Sequence, residues 1–130
     1  MEVRADSGYR SPADVDAIFA EIGQQVARVP EHQKIVFVID WRRCPVMSGE
    51  AAERMLPAIV STNPRVERSA TIASKNSPTA LMQFLRLVRE SHHPDRRLFY
   101  EPAALETWLS EILSAEEAAR LHDFLERRDP

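Results

Sequence analysis

Apolar positions along the chain alternate between two periods, and proline separates the segments. Val15, Ile18, Phe19, Ile22, Val26 and Val29 recur at helical spacing on one face. Ser11 is suited to cap this first helix, and Pro12 sits at its first position, where a missing N–H costs nothing. Pro30 is expected to end it. KIVFVID (Lys34 to Asp40) is then a continuous β-branched and aromatic run, which predicts a central strand buried on both faces. The polar loop WRRCPVM follows. Ser48 is placed to cap a second helix with Ala52, Met55, Leu56, Ile59 and Val60 inward. Pro57 is expected to kink or shorten that helix. After Asn63-Pro64, ERSATIAS (Glu67 to Ser74) predicts a second, weaker strand. Ser77-Pro78 repeats the serine–proline start, and the third helix is expected to bury Leu81, Phe84, Leu85 and Val88. The turn His92-His93-Pro94-Asp95 leads to a short strand, RLFY (Arg97 to Tyr100). Pro102 opens a fourth helix with Leu105, Trp108, Leu109 and Ile112 inward. Ser114 and Glu117 form a capping-box pattern for a last helix over 115–127, lined by Leu121, Phe124 and Leu125.

Helices and strands thus alternate, and alternation implies parallel strands joined by right-handed helical crossovers. Residues 2–4 (EVR) are expected to add a short edge strand. The predicted fold class is α/β: a small open sheet, mixed or mostly parallel, of three to four strands with helices on both faces. Residues 1–130 read as one domain, with 1–10 a short N-terminal segment and 114–130 an extra C-terminal helix.

Composition narrows the classes. Hydrophobic residues are 44% and charged residues 28%, the mix of a globular protein. The single Cys44 precludes an intramolecular disulfide and fits a reducing, cytoplasmic setting. The sequence start MEVRADSGYR has no apolar run of the signal-peptide kind, and no stretch suits a membrane-spanning helix, so no membrane insertion is expected. A formal net charge of -3 argues against a nucleic-acid partner.

In open α/β sheets ligands sit beyond the carboxyl ends of the strands. That edge is expected to carry Asp40 through Cys44, Ser74 through Asn76, and Tyr100-Glu101, together with the helix starts near Ser48 and Ser77. Arg42, Arg43 and Lys75 bring positive charge there, suited to an acidic segment of a partner, a phosphoryl group or a nucleotide phosphate. The plainer alternative is a solvated loop whose arginines pair with Asp40 or Glu101. Trp41 is open to two readings, packing beneath the loop or contacting a partner.

Several chemistries lack their residues. A cysteine phosphatase loop needs an arginine six positions after its nucleophile, and position 50 is Glu50. The histidines at positions 32, 92, 93 and 122 show no paired zinc-ligand spacing, so no metal is expected. Gly8, Gly23 and Gly49 are too dispersed for a phosphate loop, and there is no G-x-S-x-G elbow. No cofactor and no enzymatic activity are expected.

Three segments carry a family resemblance: VIDW (Val38 to Trp41) leading through a loop into a capped helix, then ERSATIAS, then LFYEPAALETWL (Leu98 to Leu109). In this order the chain resembles the STAS domains (sulfate transporter and anti-sigma factor antagonist), and among them the bacterial STAS-like proteins, over roughly residues 11–113. Antagonist-type members carry an Asp-Ser-Ser-Gly motif with a phosphorylated serine where this chain has Val46-Met47-Ser48-Gly49-Glu50. The resemblance implies a non-enzymatic regulatory module that binds a protein partner. Trp41 and Met47 are expected to supply apolar contacts, Arg42, Arg43 and Lys75 anion contacts, and Ser48 a helix cap and phosphorylation site. Members also begin with a strand pair, so a missing strand here leaves an edge open to a second copy and a homodimer. The alternative function is a small-molecule sensor, for a nucleotide or lipid-like ligand, at the carboxyl edge of the sheet.

Overall fold

A computed structural model of the protein describes residues 1–4 and 8–126. Its elements in chain order are β1 (Glu2–Arg4), α1 (Pro12–Val26), β2 (Ile35–Asp40), α2 (Gly49–Thr62), β3 (Val66–Ile72), α3 (Pro78–Glu90), β4 (Arg96–Phe99), α4 (Pro102–Ser110) and α5 (Ala115–Glu126). A 3-10 turn, Asn63–Arg65, joins α2 to β3.

The sheet has the order β1-β2-β3-β4, and every pairing is parallel. The expected α/β class is therefore realised as a wholly parallel sheet, with the 2–4 segment as its edge strand. Because each strand is laid down beside the last in one direction, crossovers of one hand put their helices on one face. Val15 of α1, Ala51 and Met55 of α2, and Ala80, Phe84 and Leu87 of α3 accordingly share one core cluster. After β4 the chain changes sides. Leu105, Trp108 and Leu109 of α4 and Leu121, Phe124 and Leu125 of α5 pack on Val38, Ala70 and Ile72 at the opposite face. β2 is covered on both faces, as its continuous apolar run predicts.

The strands end level. Arg4 is paired with Asp40, Asp40 with Ile72, and Ile72 with Phe99. This gives the sheet a flush carboxyl edge.

Arginines close most of the helix ends. α1, α2, α4 and α5 carry no basic residue in their last turns. Their terminal carbonyls are met by guanidiniums from elsewhere in the sequence, a favourable position for a cation. Arg65 donates to the carbonyls of Val29 (3.4 Å) and Pro30 (3.1 Å), just beyond α1. Arg96 donates to Ile59 O of α2 at 3.2 Å, and Arg68 to Trp108 O of α4 at 2.7 Å. At α5, Arg4 donates to Phe124 O at 2.6 Å and Arg42 to Leu125 O at 2.8 Å.

Some expectations need correcting. α1 stops at Val26, before Pro30, and Val29 packs from the connecting turn. Pro57 neither ends nor shortens α2, which runs on to Thr62. Both Pro57 and Glu53, whose carbonyl it leaves unbonded, are on the exposed side, where water can bond that carbonyl. β3 begins at Val66 and ends at Ile72, and β4 is shifted back by one residue to Arg96–Phe99. α3 buries Ala80, Phe84 and Leu87, while Leu85 is 42% exposed. α4 ends at Ser110, so Ile112 packs from the loop. The capping box forms as expected. Ser114 N donates to Glu117 Oε1 at 2.8 Å and Glu117 N to Ser114 Oγ at 3.1 Å.

Candidate functional site

The loops after β3 and β4 leave the sheet in opposite directions, toward α3 on one face and α4 on the other. Such divergence opens a crevice at the carboxyl ends of adjacent strands. A cleft of about 420 Å³ lies there. Ala73, Ser74 and Lys75 line it from the end of β3, and Tyr100, Glu101 and Pro102 from the end of β4. Arg4, Asp40, Arg42 and Arg43 extend it along the flush ends of β1 and β2.

Asp40 organises that wall. It is 5% exposed and accepts from Arg42 three times: from the backbone N (3.0 Å), from Nε (3.0 Å) and from Nη2 (2.9 Å). Arg4 Nε lies 3.3 Å from its Oδ2. Burial raises the carboxyl pKa, but the Arg42 hydrogen bonds and the two guanidinium charges outweigh it and hold the group below the usual aspartate value. The same two guanidiniums reach the last carbonyls of α5, and Arg4 also stacks on the Phe124 ring, 4.6 Å from its centroid. The wall is thus built from β1, β2 and α5 together.

Among the described residues two buried side-chain nitrogens of this wall make no hydrogen bond of good geometry: Arg42 Nη1, and Arg4 Nε, which keeps only its 3.3 Å ion-pair contact with Asp40. Lys75 is exposed, and its ammonium sits 4.9 Å from the Tyr100 ring centroid. Arg43 is also exposed.

Of the residues singled out in the sequence, Arg42, Arg43 and Lys75 do meet at this edge. Met47 does not present a contact there, and of the two readings of Trp41 the structure shows packing beneath the loop rather than an exposed contact. Trp41 is 4% exposed and lies against Phe84 (centroids 4.7 Å apart) and Tyr9 (6.1 Å). Met47 is 2% exposed, and Gln83 of α3 brackets its backbone, accepting from Met47 N at 2.8 Å and donating to Met47 O at 3.0 Å. Both side chains anchor the loop to the core beneath it. Ser48 is exposed and caps α2, accepting from Ala51 N at 3.1 Å, but it does not line the cleft.

Arg4 and Gln83 escaped the sequence reading. A parallel pairing of residues 2–4 with the end of β2 would have placed Arg4 beside Asp40. Nothing local to Gln83 indicates its distant loop partner.

The other candidate chemistries resolve into packing. Cys44 is buried, and burial pushes its pKa up to about 12, so the thiolate is scarce at neutral pH. His93 Nε2 lies 3.1 Å from Val66 O, and its Nδ1 accepts from Asp95 N at 3.0 Å, which locks the turn before β4. His92 takes a φ of 56° in that turn. Among the described residues no group of His, Cys, Asp or Glu is placed to hold a metal ion, and no helix is long and apolar enough to cross a membrane.

Compared with family models, with curated proteins and with solved structures, the chain matches none of them.

Proposed function

We propose that the protein is a non-enzymatic, cytoplasmic regulatory module of the STAS-like kind, which binds a protein partner at the carboxyl edge of its sheet. The carrying observation is the gathering of Arg42, Arg43 and Lys75 around one cleft, with Arg43 and Lys75 exposed. The buried Cys44 thiol supports a non-catalytic reading, since it is poorly suited to act as a nucleophile. The inward use of Arg4, Arg65, Arg68 and Arg96 as helix caps supports a protein rather than a nucleic-acid partner, because those cations are engaged by carbonyls.

The test is affinity capture on the wild-type protein beside an Arg43→Glu/Lys75→Glu variant. Arg42 is left intact because Asp40 and α5 depend on it. A defined protein, a second copy of this chain included, held by the wild type and lost from the variant supports the proposal. Equal capture by both places the interface elsewhere and overturns the site.

A further inference from the structure

We infer that the cleft between the diverging ends of β3 and β4 binds a small phosphate-bearing ligand, which regulates the module. The inference rests on reading this edge as the recognition surface, and it names what enters the cleft.

Size selects a small molecule. A volume of about 420 Å³ falls within the range of pockets that enclose metabolite-sized ligands. Charge selects an anion. Arg4 arrives from β1, Arg42 and Arg43 from the loop after β2, and Lys75 from the loop after β3. Against them stand Asp40, already engaged by Arg4 and Arg42, and Glu101, exposed beside the cleft. Among the described lining residues four cations therefore accompany two carboxylates.

One donor points the same way. Among the described residues the buried Arg42 Nη1 has no acceptor, whereas Arg4 Nε keeps its 3.3 Å ion-pair contact with Asp40, and both residues line this cleft. An unbonded buried donor is costly, and an anion beside Arg42 would offset that cost. A phosphate monoester suits cations converging from separate segments, because it carries close to two negative charges and three acceptor oxygens in a tetrahedral array. Tyr100 and Pro102 give the rest of the ligand an apolar wall.

The test is heteronuclear NMR of the full chain titrated with inorganic phosphate, phenyl phosphate and adenosine monophosphate, with adenosine as the uncharged control. The expected result is saturable shifts at the amides of Arg43, Ser74 and Lys75 with a phosphate probe and none with adenosine. Arg43→Gln/Lys75→Gln, whose own spectrum reports its fold, should bind about tenfold more weakly or worse. Absence of saturable shifts with all three phosphate probes overturns the inference, as does equal affinity in the double variant. Adenosine shifting the same amides as strongly as its monophosphate overturns the phosphate assignment. Loss of the ligand result with partner capture intact removes this inference and leaves the module reading standing. Phosphate binding without any captured partner does the reverse.

Discussion

Asp40 and Arg42 are two residues apart, yet they form a three-bond clasp, with the backbone N, Nε and Nη2 of Arg42 all donating to one carboxylate. The Asp40 side chain is 6% exposed and that of Arg42 14%. Removing one member of a buried pair leaves the other uncompensated, which costs about 3–5 kcal/mol. Asp40→Asn is therefore expected to lower unfolding free energy by that order, measured by urea denaturation. A loss below about 1 kcal/mol, the scale of an exposed pair, would show that the clasp contributes little.

The same carboxylate predicts an acid transition. Its pKa is depressed on folding from an ordinary value of 3.8, so its stabilisation is fully present above that value. It is lost as pH falls from there through the folded-state pKa. Stability measured against pH should decline in that window for the wild type. Asp40→Asn should flatten that component, and an unchanged acid limb would refute the assignment.

Arg96 is the corresponding clasp at the other end of the sheet. It donates to Ile59 O (3.2 Å), Thr62 Oγ1 (2.9 Å) and Asn63 Oδ1 (2.8 Å), tying β4 to the end of α2. Arg96→Met should cost about 1.5–3 kcal/mol, the range for hydrogen bonds to a charged group. Arg96→Lys should recover only part of this, because an ammonium lacks the planar fork. Full recovery by lysine in thermal melts would mean that charge alone matters.

Ser48 separates a cap from a switch. Ser48→Ala should lose about 1 kcal/mol, and Ser48→Asp should keep most of the stability, because aspartate also caps. Partner capture by Ser48→Ala should match the wild type, since Ser48 lies outside the cleft lining. Loss of capture with an intact fold would restore Ser48 to the interface.

Cys44 is expected to resist labelling. With burial pushing its pKa up to about 12, the native protein should react slowly with a thiol reagent at pH near 8, and fast once unfolded in guanidinium. Rapid stoichiometric labelling of the folded chain would contradict the buried placement.

The sequence made the elements legible more readily than their facing. Ser11, Ser48 and Ser77 each cap the helix they were expected to start. On α3 the expected Phe84 is buried and Leu81 packs against the core, but Leu85 is 42% exposed, and Ala80, which adds little to a hydrophobic pattern, is buried instead. At the candidate site the cations after β2 and β3 could be placed from strand ends alone. Trp41 could not, because periodicity is lost once a strand gives way to a loop, and its ring meets Tyr9 edge-on and Phe84 at a tilt, both far away in sequence. The arginine caps were invisible for a related reason. A carbonyl acceptor has no sequence signature, and Arg68 meets its partner 40 residues away.

The contact between Arg4 and Phe124 O spans 120 residues, while the sheet grows by adding each strand beside the one before it. The sheet can therefore assemble through comparatively short chain closures, whereas docking α5 needs long ones, 83 residues from Arg42 to Leu125 and 120 from Arg4 to Phe124 at its junction with β1. That junction should form after the main folding barrier. Weakening it with Arg4→Met should leave the refolding rate nearly constant and accelerate unfolding, so the arginine acts as a latch on the lifetime of the folded state rather than as a guide to reaching it.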